Sequence, residues 1–438
     1  MTTHAKAVTR VAYTTFGCRL NQYDTEAIRT LLDDSGRYET VSNDAPADVY
    51  VVNTCSVTSR ADASARKAIR RLHDKHPDAR IVVTGCYAQR APEEIEALPG
   101  VSLIVGAADR ARVVQEIDAA RTGVRVSVSP IKEARTFLEV PITEMMDRSR
   151  AFVKIQEGCN ESCSFCIVPQ TRGASRSREP QKVIEQAKSL IDRGYVELIL
   201  TGVHLGDYGL DLSGERQLAS LIERLLVLPG LERFRLSSIE PASVTPRIIE
   251  LMATEAKFAR HFHIPFQSGS NRVLERMRRR YTAEYFYDLV ERIASAMPDC
   301  GIGADVICGF PGETDDDFQA TFDALTTLPI TYLHPFTYSV RPGSEAEAFG
   351  DQVAGDIKKR RTRSLKRLSR DKSQRARESM VGRTEKILIE QGPIDGRYFG
   401  WTENYLKVAV RGLNTMPDRL IDVSLTAAEG DVLLGEAR

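Results

Sequence analysis

Short apolar runs alternate with longer amphipathic stretches over the first three quarters of the chain. Val8–Tyr13, Asp48–Val52, Ile81–Thr84 and Val101–Val105 read as buried strands. Between them apolar residues recur every three or four positions over Gln22–Leu32, Arg60–His73 and Arg110–Ala119, which predicts helices. Pro92 opens a further helix in a favoured first position. This order predicts a small open parallel α/β sheet over residues 1–120. Residues 121–150 read as a linker, with one alternating stretch, Gly123–Val128, that suits a short strand.

The alternation then becomes regular. Phe152–Gln156, Val196–Leu200, Phe234–Leu236, Phe262–Phe266, Gly303–Ile307 and Leu333–Tyr338 predict strands, with helical stretches between them. Six such units are too few for a closed eight-stranded barrel. They predict a partial (β/α)6 barrel within residues 151–355, with its active site at the carboxyl ends of the strands. A basic helix is expected at 356–375. Beyond it TEKILIEQG, GRYFGWTENYLKVAV and RLIDVSLTAAEGDVLLGEA alternate and are punctuated by glycine, which predicts a small antiparallel β-barrel over 376–438.

Composition narrows the class. The chain has 438 residues, 42% hydrophobic and 27% charged, as in ordinary globular proteins. No apolar run of about 18 residues occurs, so no transmembrane span is expected. The first residues lack a signal-peptide pattern, and eight cysteines without one point to a reducing, cytoplasmic setting and to metal binding. The formal net charge is zero, so total charge says nothing about nucleic acid. Its distribution does. Asp356–Lys386 carries thirteen basic and four acidic residues, the electrostatic footprint of a nucleic-acid contact or of a plain solvated helix. Arg60–Arg80 carries seven basic and three acidic residues, with Arg66 on a face suited either to solvent or to phosphate.

The chemistry lies in cysteines. Cys159, Cys163 and Cys166 stand in CxxxCxxC spacing just after an apolar strand. Three thiolates can hold three irons of a [4Fe-4S] cluster and leave the fourth open to a small chelator such as S-adenosylmethionine. A zinc site would want a fourth ligand, which the neighbourhood lacks, and buried free thiols are the remaining reading. Cys18, Cys55 and Cys86 each follow a predicted strand of the first sheet, so one crevice can gather them. They are either a second metal site, with Asn21 and Asn53 nearby, or three small buried hydrophobes.

The string EGCNESCSFCIVPQTRGASRSRE resembles the radical S-adenosylmethionine methylthiotransferases, and the likeness runs over nearly the whole chain. The resemblance implies two [4Fe-4S] clusters, one on each triad, and S-adenosylmethionine as cosubstrate and radical source. It implies that all six cysteines serve catalysis and that C–H is replaced by C–S–CH3. The strand-end residues Gly202, Ser237, Ser238, Glu240 and His263 are then expected around the cofactor, against the plainer readings of turn glycine and core histidine. HIPFQSGSNRVLERMRRRYT is similar to the family string at that place and implies a substrate-side role for Arg280. The last segment resembles the TRAM domain, an OB-like RNA-binding barrel, where Trp401 and Tyr405 either stack on bases or pack the barrel. GCRLNQYDTE is similar to the class that acts on N6-threonylcarbamoyladenosine at position 37 of tRNA. The alternatives are isopentenyladenosine in tRNA and a ribosomal protein. Implied partners are tRNA, an electron donor such as a flavodoxin or ferredoxin, and iron–sulfur assembly and sulfur-donor proteins, with no membrane. Arg66 or Arg280 is expected to meet the threonyl carboxylate.

Overall fold

The computed structural model describes residues 8–438 other than 121, 122, 143, 147, 148 and 418. Its first sheet is parallel throughout, in the order Tyr38–Thr40, Thr9–Thr15, Val49–Thr54, Arg80–Gly85, Val101–Val105, Arg125–Ser127. The central strand Val49–Thr54 is buried at every position, as helices on both faces require. Thr58 caps helix Ser59–Lys75, its hydroxyl accepting the Ala61 amide at 3.2 Å. One strand is not expected from the sequence, and a second, within the stretch Gly123–Val128, joins a sheet that the sequence reading ends at residue 120. Tyr38–Thr40 has no apolar run to announce it. Arg125–Ser127 pairs with Leu103–Val105, so the first sheet extends past residue 120 into the expected linker.

Six parallel strands follow, in two sheets of three. Arg233–Leu236, Glu197–Thr201 and Arg150–Lys154 form one, and His261–Gln267, Gly301–Cys308 and Tyr332–Thr337 the other. A bridge between Phe234 and Phe258 and a 3.0 Å bond from the Ile239 amide to the His263 carbonyl join them into one arc. Phe234, Phe258, Phe262, Phe266 and Phe286 are buried within its core. The first domain reaches both ends of the arc. Near its first strand, Tyr23 Oη donates to Gln186 at 3.2 Å. Beyond its last strand, Arg341 donates to Asp62 at 2.5 Å and the Ser59 amide to Ser339 Oγ at 3.1 Å.

The edge strand Tyr332–Thr337 is covered by helix Gly355–Glu378, longer than the sequence boundary of residue 375 suggested. Ser369 both accepts the Leu333 amide (2.9 Å) and donates to its carbonyl (3.0 Å). Leu365 is fully buried. Arg361 is buried against Glu313, while Lys359, Arg360, Arg363, Lys366, Arg367 and Arg370 face solvent as one stripe. The carboxyl-terminal strands close a five-stranded barrel ordered Thr384–Ile394, Arg397–Trp401, Lys407–Arg411, Val432–Ala437, Ile421–Glu429. It is not purely antiparallel, since Lys407–Arg411 and Val432–Ala437 pair in parallel.

Candidate metal centres and the pocket between them

Each cysteine of the first domain ends a strand unit. Cys18 is the amino-cap of helix Arg19–Asp34, Cys55 follows Val49–Thr54, and Cys86 opens helix Cys86–Arg90. The three strands are adjacent, so their ends meet. Gly17 has φ +98°, and a Cβ there would lie 2.6 Å from Cys55 Cβ, so only glycine brings these loops together. Gly85, at φ +96° just before Cys86, lies so close to Thr54 that a Cβ there would meet its carbonyl oxygen. The asparagines clamp the loops. Asn21 Nδ2 donates to the Phe16 (2.7 Å) and Thr54 (3.1 Å) carbonyls, and Asn53 Nδ2 to the Asn21 carbonyl at 2.8 Å. Burial, with Cys86 and Cys18 alongside, pushes the Cys55 thiol up to about 12. Without a bound cation Cys55 therefore keeps its proton, and a bound cation displaces it.

The CxxxCxxC loop springs from a two-residue hairpin, Gln156–Glu157 on Arg176–Ser177. The Cys159 amide donates to the Gly173 carbonyl and the Cys166 amide to the Cys163 carbonyl, both at 3.0 Å. Each sulfur accepts a bond at 3.4 Å: Cys159 from the Glu161 amide, Cys166 from the Val168 amide, Cys163 from the Arg279 guanidinium. These bonds favour thiolate, yet burial still raises Cys159 to about 12 and Cys166 to about 11.

Among the described residues, no cysteine shares a span of 4.8 Å with two other ligating side chains. A tetrahedral zinc would hold its sulfurs about 3.8 Å apart. The wider spread, with three thiols at each site, fits two [4Fe-4S] clusters each with an open iron. Beside Cys163 lies a pocket of about 60 Å³ lined by Glu161, His204, Glu240, Ser243, Arg279 and Arg280. Carboxylates and guanidinium groups here match the amine, hydroxyls and carboxylate of S-adenosylmethionine. Of the expected cofactor residues, Glu240 lines this pocket, whereas Ser237, Ser238 and His263 do not. Gly202 is half-buried, and a side chain there would strike Leu205. Arg280 pairs with Glu161 at 3.0 Å on the rim and is 70% exposed, while Arg279 is only 6% exposed and pairs with Glu240. The run of three arginines does not reveal which one turns inward: it is Arg279, while Arg278, at φ +57°, is exposed and pairs with Glu345.

A second, larger cavity of about 210 Å³ opens at the ends of the other three strands, with Val57, Phe165, Gln267, Asp305, Ile307 and Phe336 in its wall. Val57 lies two residues after Cys55, and Phe165 between Cys163 and Cys166. The loops that carry Cys55 and the CxxxCxxC run therefore both contribute to the wall of one cavity. His263 belongs on this side, its Nε2 donating to Asp305 at 2.9 Å.

Other expected substrate residues are engaged elsewhere. Arg66 donates to Tyr87 Oη at 2.7 Å and pairs with Glu94, all within the first domain. Trp401 and Tyr405 stack on each other, centroids 4.6 Å apart, against Arg150 at the opposite, amino-terminal end of the arc. There Arg235 donates to the carbonyls of Glu403 (2.7 Å) and Thr402 (3.1 Å). Both rings are half-buried and packed at this junction of barrel and arc.

The two triads are joined by buried charge. Asp24 and Arg110 of the first domain meet Lys154, Glu157 and Arg172 of the arc. Lys154 Nζ lies 2.7 Å from Asp24 and 2.6 Å from Glu157. Three cations thus face two carboxylates. Burial opposes the Arg172 charge, but Cys86, Glu157 and Asp24 outweigh it and hold its pKa well above the usual value. Arg172 also donates to Asn21 Oδ1 at 2.5 Å, which places the surplus positive charge beside the first-domain thiolates. Nothing in the local sequence pattern marks these five residues.

Comparison with known proteins agrees with this arrangement. Residues 10–106 match a family described as uncharacterized protein family UPF0004, and residues 153–325 the radical SAM superfamily. The threonylcarbamoyladenosine tRNA methylthiotransferase MtaB of Bacillus subtilis (strain 168) is 41% identical over 424 residues, covering 95% of this chain and 94% of its own. The protein of the same name from Aquifex aeolicus (strain VF5) is 39% identical, covering 92% and 97%. A tRNA-2-methylthio-N(6)-dimethylallyladenosine synthase from Jannaschia sp. (strain CCS1) is 34% identical, covering 96% and 92%. The solved radical S-adenosylmethionine methyltransferase TsrM of Kitasatospora setae shares the fold, with a TM-score of 0.55 at 18% identity over 75% of each chain. Matched almost end to end by these relatives, the chain belongs to the tRNA methylthiotransferase family of radical S-adenosylmethionine enzymes.

Proposed function

We propose that this chain converts N6-threonylcarbamoyladenosine at position 37 of tRNA to its 2-methylthio derivative. The observation that carries the reading is the single pocket walled by residues next to both triads. Cys159, Cys163 and Cys166 would hold one cluster and Cys18, Cys55 and Cys86 the other, and with S-adenosylmethionine these groups would supply hydrogen abstraction, sulfur and the methyl group. The chain's own residues do the rest. Glu240 and Arg279 hold the cofactor's polar groups beside Cys163, and Arg280 closes that rim through Glu161. Phe165, Ile307 and Phe336 offer apolar walls to a base splayed from the anticodon loop. The exposed arginines and lysines of helix Gly355–Glu378 and the TRAM-like barrel, residues 384–438, receive the tRNA backbone. Among the described residues no helix is long and apolar enough to cross a membrane. A reducing cytoplasm suits the thiolates, and the reaction calls for an electron donor such as a flavodoxin or ferredoxin and for sulfur-donor and cluster-assembly proteins.

The test offers reconstituted enzyme, S-adenosylmethionine and a reductant separately to threonylcarbamoyl- and dimethylallyl-modified tRNA. Mass spectrometry of the nucleosides should find methylthiolation of the first. Modification of the second alone would transfer the assignment to the alternative substrate, and modification of a ribosomal protein instead would remove tRNA from the reading.

A further inference from the structure

The polar end of the larger pocket is built around one carboxylate. Asp305 stands on the middle strand of three, with His334 as its direct partner on one side. His263 Nε2 reaches Asp305 Oδ1 at 2.9 Å, and His334 Nδ1 reaches the same oxygen at 3.5 Å. His263 is held in turn through Nδ1 by Tyr332 Oη at 3.2 Å, and that hydroxyl also meets His261 Nε2 at 2.8 Å. Burial alone would favour the neutral acid, yet the histidine bonds hold Asp305 well below the usual carboxylate range. Both imidazoles use one oxygen. Oδ2 meets no protein donor among the described residues, and Asp305 lines the pocket.

Gln267 stands beside it, 9% exposed, at φ +60°. Its Oε1 is buried without a partner, and the residue lines the same pocket. A buried acceptor left unpaired is costly, so a ligand that brings donors completes the site. Val57, Phe165, Ile307 and Phe336 make the apolar part of the remaining wall, and Thr58, Thr337, Tyr338 and Ser339 add only hydroxyl-bearing side chains, so Asp305 is the pocket's one ionised group.

We propose that Asp305 Oδ2 and Gln267 Oε1 are the specificity-determining acceptors that read the N–H groups of an amide-type substituent on N6 of the target adenine. This rests on the proposed substrate reading and deepens it. A threonylcarbamoyl group adds a ureido N–H and a hydroxyl to the N6–H. A dimethylallyl group adds only hydrocarbon, and would leave a desolvated carboxylate and an amide oxygen facing methyl groups. Sites that hydrogen-bond a substrate discriminate strongly against analogues that cannot. The threonyl carboxylate must point away from Asp305, toward the mouth of the pocket.

The experiment uses the reconstituted holoenzyme and two anticodon stem-loops, carrying threonylcarbamoyl- or dimethylallyl-adenosine, in competition. The ratio of kcat/KM values is read for the wild type, Asp305→Asn and Gln267→Leu, with iron content checked in each. The ratio should fall at least tenfold in both variants, mainly through KM for the threonylcarbamoyl substrate. Equal losses on both stem-loops, or an unchanged ratio, would overturn the assignment. A wild type that modifies neither stem-loop would instead overturn the substrate reading itself.

Discussion

Arg19, the residue after the metal-site Cys18, donates through Nη2 to the hydroxyl of Tyr405 at 2.8 Å, across 386 positions of sequence. The carboxyl-terminal barrel is therefore not a tethered appendage. Its Tyr405 lies against Arg150 and Arg235 and packs at a tilt beside His261 at the base of the arc. Those arginines hold the phenol below its usual pKa, with burial working against them.

Tyr405→Ala is expected to lower the melting temperature of the whole apo chain by several degrees, because about 1.5–3 kcal/mol of charge-assisted hydrogen bonding goes with the packing. Tyr405→Phe should cost less. A normal melting temperature combined with weakened tRNA binding would return Tyr405 to the base-stacking role that the sequence alone leaves open.

The metal content follows from the two triads. Anaerobically reconstituted protein should carry about eight irons, and the variant with Cys18, Cys55 and Cys86 all replaced by alanine about four. That variant should still cleave S-adenosylmethionine reductively. Loss of cleavage together with the four irons would contradict the division of labour between the sites.

Arg172 links the domains and faces the first triad. Arg172→Gln leaves buried Asp24 and Glu157 with fewer cations, a change of the kind that costs about 3–5 kcal/mol. Chemical denaturation of the apo chain should register the loss, and Arg172→Lys should recover part of it. Equal stability of all three proteins would show that Lys154 and Arg110 suffice.

The base of the arc should fail in acid. Glu197, 1% exposed, has its carboxyl lowered to about 2; burial resists the charge, and Arg235, Arg233 and Arg150 override it. The unfolded chain takes up this proton first, near pH 4.5, so stability is full above that value and is lost as pH falls toward 2. The contribution is on the order of 3 kcal/mol. Glu197→Gln should flatten this limb of the stability–pH curve, and a curve of unchanged slope would argue against the assignment.

Much of this is legible in the chain. Val101–Val105 is a strand to the residue, and the other long strands lie within two or three positions of their apolar runs, because burial on both faces leaves an uninterrupted hydrophobic string. The cysteines are legible for the same reason, each following such a string. What escapes is long-range. Lys154 and Arg235 sit among apolar neighbours in sequence and look like solvent-facing charges. They are fully buried because partners 130 and 38 positions away neutralise them. His334 and Asp305 likewise become a pair only through strand register. Periodicity reports which face a residue shares, not which partner waits there.

Tested at its exposed face, the basic helix should bind RNA. Reversing Lys359, Arg363, Lys366 and Arg367 to glutamate is expected to flatten the dependence of log Kd on log salt by about 0.7–0.9 for each phosphate no longer neutralised. Filter binding of tRNA at several salt concentrations measures the slope, and an unaltered slope would remove this face from the tRNA site.

Charge reversal is the right instrument there because deletion is not. The inner side of the same helix bonds the amide and carbonyl of Leu333 in Tyr332–Thr337 through Ser369, and Phe336 of that strand walls the larger cavity. Cutting the chain before Gly355 would uncover a bare sheet margin, ready to recruit a strand from another molecule. Such a truncated protein would be drawn toward self-association, and weak tRNA binding in it would measure aggregation rather than the absence of an RNA-binding surface.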